Sequence, residues 1–185
     1  MSLDVQRQRY AHGRPVRIIG LAGWSGAGKT TLLKGLIPEL VARGFRVSTI
    51  KHAHHAFDID QPGKDSWHHR EAGAAEVLVA SGVRWALMHE LRGDAEPELP
   101  ALLDRLSPVD FVLIEGFKRT MHPKIEVYRA ANGKPLLHPG DESVVAVASD
   151  TAIPGAAIPV LALDDFSALA DMVELRAAAA GHRPG

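Results

Sequence analysis

Between Val16 and Ala22 the chain reads VRIIGLA, apolar on both faces and rich in β-branched residues, the pattern of a strand buried on two sides. It runs straight into glycines. Beyond them Leu33, Leu36, Ile37, Leu40 and Val41 recur at helical spacing, and Gly44 stands where such a helix would end. Pro38 removes one backbone hydrogen bond from that helix and predicts a kink. FRVSTIK, residues 45–51, reads as a second strand, so the order is strand, helix, strand, as in a parallel crossover unit. The stretch after it, HAHHAFDIDQPGKDS, is too long and too rich in His, Asp and Gly for a routine connection.

Farther along, the pattern predicts a short helix over 66–74, strands over 76–80 and 84–91, and a proline-flanked helix over 98–106. VDFVLIEG, residues 109–116, is the next buried strand, and it ends in a carboxylate followed by glycine. Strands over 124–129, 143–149 and 158–163 come next, and Asp164 is placed to cap a last helix that frays in AAAAGHRPG. The whole reads as one α/β domain over residues 15–178, a doubly wound, mainly parallel sheet with helices on both faces. A hairpin-like extension is expected near 117–130, a flexible lead-in over 1–14 and a frayed C-terminus over 179–185.

Composition narrows the function without changing the fold. The 185 residues are 46% hydrophobic and 23% charged, ordinary values for a globular chain. A net charge of -1 argues against coating nucleic acid, which calls for a basic excess. With no cysteine there is no disulfide framework, thiolate metal site or thiol redox chemistry, and cytoplasmic residence is the simple expectation. No window approaches the roughly 18 consecutive apolar residues of a membrane helix, and the polar start MSLDVQRQRYAHGRP lacks the apolar stretch of a secretory signal. Neither nucleic acid nor membrane is expected as a partner.

The segment Gly23-Trp-Ser-Gly-Ala-Gly28-Lys29-Thr30 satisfies G-x-x-x-x-G-K-[ST] and lies between a buried strand and an amphipathic helix, the context the motif demands. Phosphate oxygens need several donors converging on one small volume. Glycines let the backbone of Gly23, Ser25, Gly26, Ala27 and Gly28 curl so that successive N–H groups point inward, and the positive helix end adds to the attraction. Lys29 would reach the β- and γ-phosphates, the Thr30 hydroxyl would join the shell of Mg2+, and Thr31 would reach the α-phosphate.

Proteins of this type place an acid at the end of a neighbouring apolar strand to orient magnesium, and Glu115 closes FVLIEG. Direct ligation and polarisation of a water are both open to it, and Gly116 would allow close backbone approach to a ligand. Lys51, His52, His54, His55, Asp58, Asp60, Lys64 and Asp65 crowd the polar stretch after the second strand. Neutral imidazoles beside carboxylates suit zinc or nickel, yet His-x-His-His lacks a spacing that fixes metal geometry. The preferred reading is that Lys51, His52, His55, Lys64 and Asp65 meet an anionic substrate or partner while Asp60 faces magnesium. Lys118 and Arg119 are further candidates to neutralise a phosphate or a partner's acids.

Taken together, GWSGAGKTTL, KHAHHAFDIDQPGKDSWHHREAGA and LIEGFKRTMHPKIEVYR resemble the MobB family of molybdopterin-guanine dinucleotide biosynthesis adapter proteins, over about residues 16–165. The resemblance implies a fold in the SIMIBI division of P-loop GTPases, a homodimer, and GTP binding with weak hydrolysis. It also implies a partner, the guanylyltransferase MobA, which joins GMP from GTP to molybdopterin, with molybdopterin itself as a possible bound ligand. On this sequence the phosphate roles fall to Ser25 through Thr31 and the magnesium role to Thr30 with Glu115, while Asp60 and the PGKDS residues would line the same cleft. The guanine-reading tetrapeptide N-K-x-D is absent, and Asp150 in VASD is the candidate in its place, with a turn-forming role as the alternative. Two other functions stay open: a P-loop small-molecule kinase, and a metallochaperone GTPase that uses the histidine loop.

Overall fold

The structure is a computed structural model that describes residues 10–11, 14–53, 57–118 and 120–180. Its contacts divide the chain into two compact units, one of Met1–His52 with Leu99–Gly185, the other Ala53–Glu98, where the sequence reads as a single domain over 15–178.

The first unit is built on a seven-stranded sheet. Its strands are β1 (Arg17–Ala22), β2 (Val47–Lys51), β5 (Phe111–Glu115), β6 (Lys124–Tyr128), β7 (Val144–Ser149), β8 (Val160–Ala162) and β9 (Ala178–Ala179). The order is β8-β7-β6-β1-β5-β2, every neighbouring pair parallel, with β9 antiparallel to the start of β1. Alternation along the strands separates two cores. Ile19, Leu21, Phe111 and Leu113 pack with α1 (Lys29–Ala42) and α4 (Phe166–Arg176), whereas Ile18, Val112 and Ile114 pack with Leu99 and Leu103 of α3 (Leu99–Leu103). Helices therefore cover both faces, and strands buried on both sides need the unbroken apolar runs seen in the sequence.

The α1 face is centred one residue earlier than its periodicity suggests: Leu32, Leu36 and Leu40 are buried, while Val41 is 54% exposed. Leu33 and Ile37 flank that stripe. The helix runs unbroken through Pro38. At Gly35 a Cβ would overlap the Phe166 ring, so the absent side chain lets α1 and α4 approach. Arg43 fastens the same pair by ion pairs with Glu39, Asp171 and Glu174.

Three expectations are corrected. The 117–130 region is no hairpin-like extension: Lys124–Tyr128 sits inside the sheet, parallel to both β1 and β7. Its alternation of charged Lys124 and Glu126 with Ile125 and Val127 reads as a half-exposed strand, yet all four are buried, with Ser143 holding the Lys124 ammonium and the Leu137 and His138 N–H groups the Glu126 carboxylate. Asp165, not Asp164, caps α4, its carboxylate accepting from Ala168 N at 3.0 Å; either of two adjacent aspartates satisfies the sequence rule. After α4 the alanines do not simply fray, since Ala178–Ala179 joins β1 at Ile18 and Arg17. Within the lead-in expected over 1–14, Tyr10–Ala11 pairs with Arg14–Pro15; the rest of 1–13 and residues 181–185 lie outside the described residues.

The second unit holds α2 (Asp65–Glu71) and an antiparallel hairpin of β3 (Glu76–Ala80) and β4 (Trp85–His89). Arg70 ties its loop together by ion pairs to Asp58 and Asp60, both at 3.2 Å. Leu78, Val79, Val83, Trp85 and Leu87 of the hairpin are exposed. No helix among the described residues is long and apolar enough to cross a membrane.

Candidate phosphate and magnesium site

The sheet order reverses around β1. The chain leaves β1, passes through α1 to β2, and β5 then fills the place between them, so the carboxyl ends of β1, β5 and β2 border the crevice where ligands bind in doubly wound sheets. Register brings these ends level: Leu21 and Lys51 both pair with Glu115. The glycine loop leaves β1 at this point.

Within the loop Gly23, Gly26 and Gly28 all have positive φ, at 143°, 81° and 98°. Gly23 is doubly constrained, because a Cβ there would meet the Val127 carbonyl oxygen at 2.5 Å. Gly28 caps α1 without any side-chain hydrogen bond, and no acidic residue occupies the first turn. The helix thus presents unpaired N–H groups and an uncompensated positive end, the two features that attract an anion. The Lys29 ammonium folds back over the loop and donates to the Gly23 and Trp24 carbonyls at 2.8 and 3.1 Å.

The surroundings of Lys29 are unusually basic. Burial lowers its proton affinity; Glu115 opposes that, while Lys118 and Lys51 add to it. Three ammonium groups therefore share one neighbourhood with a single carboxylate, and an anion carrying several negative charges would relieve their repulsion. The sequence-predicted Gly23–Thr31 loop, Lys51, Glu115 and Lys118 all fall in the first unit.

His52 also belongs there, in a structural role. Its ring stacks on Phe117 at 4.8 Å and its backbone N–H donates to the Glu115 carbonyl at 2.8 Å. Gly116, with φ of 98°, is needed because a Cβ would come 2.5 Å from the His52 Cβ, so the close approach is to His52. Asp60, Lys64 and Asp65 lie in the second unit. The Asp60 carboxylate, 3% exposed, is held by Arg70, and Lys64 and Asp65 line an open cavity of about 660 Å³ against β3. Among the described residues no group of three or more His, Asp or Glu is arranged to hold a metal ion; His54, His55 and Arg119 lie outside the described residues.

Asp150, at the end of β7, is engaged with the protein: its carboxylate accepts from Ala130 N at 2.9 Å and lies 3.9 Å from the Arg129 guanidinium. Sequence reasoning missed what that contact belongs to. The segment after β6 wraps the glycine loop, with Asn132 donating to the Ser25 carbonyl at 3.2 Å and Trp24 donating to the Pro135 carbonyl at 2.9 Å. Buried Glu126 anchors its far end by accepting from Leu137 and His138 N–H groups at 2.7 and 2.9 Å. The only sequence signal was a strand ending in Arg129, and nothing local says that this strand lies beside β1.

Known proteins resemble this chain in sequence and in fold. The family model described as Molybdopterin guanine dinucleotide synthesis protein B, MobB, matches residues 18–150. A molybdopterin-guanine dinucleotide biosynthesis adapter protein of Escherichia coli (strain K12) is 46% identical over 161 residues, spanning 85% of this chain and 91% of its own. Its counterpart in Haemophilus influenzae is 46% identical over 141 residues, 73% of this chain and 75% of its own. A crystal structure of molybdopterin-guanine biosynthesis protein B superposes with a TM-score of 0.68 at 27% identity, covering 85% of this chain and 98% of that one. Bacillus subtilis MobB gives the same TM-score at 21% identity, covering 90% and 99%, and shares the fold. With the match extending over most of the sheet and the glycine loop, the chain belongs to the MobB family.

Proposed function

We propose that this protein is a GTP-binding adapter in molybdopterin guanine dinucleotide formation, acting in the cytoplasm beside the guanylyltransferase MobA and its molybdopterin substrate. The observation that carries the reading is the glycine loop at the sheet's reversal point with Glu115, Lys51 and Lys118 gathered about Lys29, in a chain whose relatives are named adapters of that synthesis.

The residues suit a magnesium nucleotide. A triphosphate supplies the negative charge that three lysines and an uncapped helix end lack. Thr30 and Glu115 offer the one or two oxygen donors that magnesium takes from protein when phosphates and water complete its shell. Bound Mg2+ would neutralise charge between the phosphates. Lys29 turns from the Gly23 and Trp24 carbonyls toward the phosphates, and the loop N–H groups orient them. Ile114 and Gly116 flank Glu115, so no glutamine stands beside it to position a water, which supports slow hydrolysis. The apolar hairpin of β3 and β4, exposed at Val79, Trp85 and Leu87, supports a homodimer formed through the second unit.

The test is a magnesium-dependent titration with GTP and ATP, with and without the guanylyltransferase and molybdopterin. Preference for GTP and partner-enhanced turnover are expected, and Lys29→Ala should weaken GTP binding at least about tenfold with the fold intact. Equal binding of GTP by Lys29→Ala would overturn the phosphate site, and preference for ATP without response to the partner would favour a kinase.

A further inference from the structure

The guanidinium of Arg129 is placed where a protein without a bound anion should not want it. Arg129 follows β6, the strand on the opposite side of β1 from β5 and β2. Its Nη2, Nε and Cζ atoms lie 3.3, 3.7 and 3.9 Å from where a Cβ on Gly28 would be. Gly28 is the N-cap of the fourteen-residue α1, whose first turn carries no acid. A cation against the positive end of a helix is unfavourable, the reverse of the arrangement that stabilises helices. The nearest compensation is Asp150, 3.9 Å from Nη1, at the long limit of an ion pair between side chains 40% and 31% exposed. Among the described residues the guanidinium donates no hydrogen bond, although it carries five N–H groups.

The surrounding segment is nonetheless built to keep Arg129 there. Asp150 is itself aimed by the Ala130 N–H at 2.9 Å, Asn132 fastens the segment to the Ser25 carbonyl, and a buried carboxylate, Glu126, holds its other end. A fork of unused donors, fixed beside a helix N-terminus already flanked by Lys29, Lys51 and Lys118, fits one kind of ligand: a polyphosphate that presents two oxygens to a planar guanidinium.

We propose that Arg129 is a phosphate-contacting residue of this site, closing the loop from the β6 side and binding the phosphate chain bidentately, with Asp150 as the positioning residue that holds the guanidinium in reach. The proposal rests on the nucleotide-binding reading above and adds a residue, a ligand contact and a role for Asp150 that differs from reading guanine. Because Arg129 is partly exposed and packs against a glycine, its replacement leaves the core untouched.

The experiment compares wild type, Lys29→Ala, Arg129→Ala, Arg129→Lys and Asp150→Asn for binding of magnesium GTP, sodium tripolyphosphate and guanosine, with thermal melts to verify folding. Arg129→Ala should bind GTP and tripolyphosphate at least about tenfold more weakly while guanosine binding stays unchanged. Arg129→Lys should recover only part of the loss, since an ammonium keeps the charge and gives up the fork. Asp150→Asn should show a smaller loss for the same two ligands and none for guanosine. Tripolyphosphate bound equally by wild type and Arg129→Ala, but lost in Lys29→Ala, would overturn this proposal alone. Full recovery by Arg129→Lys would overturn the bidentate contact, and selective loss of guanosine in Asp150→Asn would overturn the positioning role. A wild-type protein that binds no GTP would instead remove the nucleotide reading, and this proposal with it.

Discussion

Acidification should destabilise this fold through one histidine. His122 is 5% exposed, its Nδ1 and Nε2 meet no hydrogen-bond partner among the described residues, and its ring covers Gly20 so closely that a Cβ there would overlap Nε2. Burial, and next the Lys124 ammonium, push its pKa from 6.5 down to about 4, against an opposing pull from the Thr120 carbonyl and Asp141. The unfolded chain takes up this proton near 6.5 and the folded protein only near 4. Between those values the unfolded state binds more protons, so stability is fully present above 6.5 and falls as pH drops toward 4. The shift corresponds to about 3 kcal/mol lost by the acid end of the window, a large fraction of a typical domain's stability.

Urea unfolding followed by far-ultraviolet circular dichroism, at several pH values between about 7.5 and 4.5, measures this loss. Asp141 adds an acid-sensitive contribution of its own: burial acts against its charge, yet the Ser143 hydroxyl and N–H and the Lys124 ammonium hold its carboxyl below the ordinary range. The comparison with His122→Leu separates the two. That variant removes two unsatisfied nitrogens, should be no less stable at neutral pH, and should lose most of the slope between pH 6.5 and 5 while Asp141 still titrates lower. A variant with the wild-type slope across that window would refute the assignment to His122.

Two further outcomes follow from close approaches and exposed surface. Gly116→Ala combines a φ of 98° with a Cβ 2.5 Å from that of His52; unfolding stability should fall by roughly 1–3 kcal/mol, with weaker magnesium GTP binding as Glu115 shifts, and an unperturbed variant would show that the strand end tolerates displacement. Replacing the exposed Val79 and Trp85 of the hairpin with glutamate should leave the first unit's melting unchanged and yield a monomer by sedimentation velocity, whereas an unchanged dimer would place the interface elsewhere.

Features encoded over short distances were legible in the sequence alone. The glycine loop is a contiguous motif whose backbone geometry depends on its own residues, and the strands on either side declare themselves by unbroken apolar runs. Glu115 could be placed at a strand end for the same reason. Pairing order is different, because a buried parallel strand has the same apolar pattern wherever it lies in the sheet. Only the tertiary structure set β6 beside β1, and with it brought Arg129 and Asn132 onto the loop, 101 and 106 positions beyond Gly28 and Gly26 in the numbering. The same nonlocal packing assigned Gly116 to His52, drew residues 124–128 into the parallel sheet in place of a hairpin-like extension, and paired the C-terminal alanines with β1. Local chemistry therefore announced where the candidate site lies, while contacts between distant segments decided which side chains surround it.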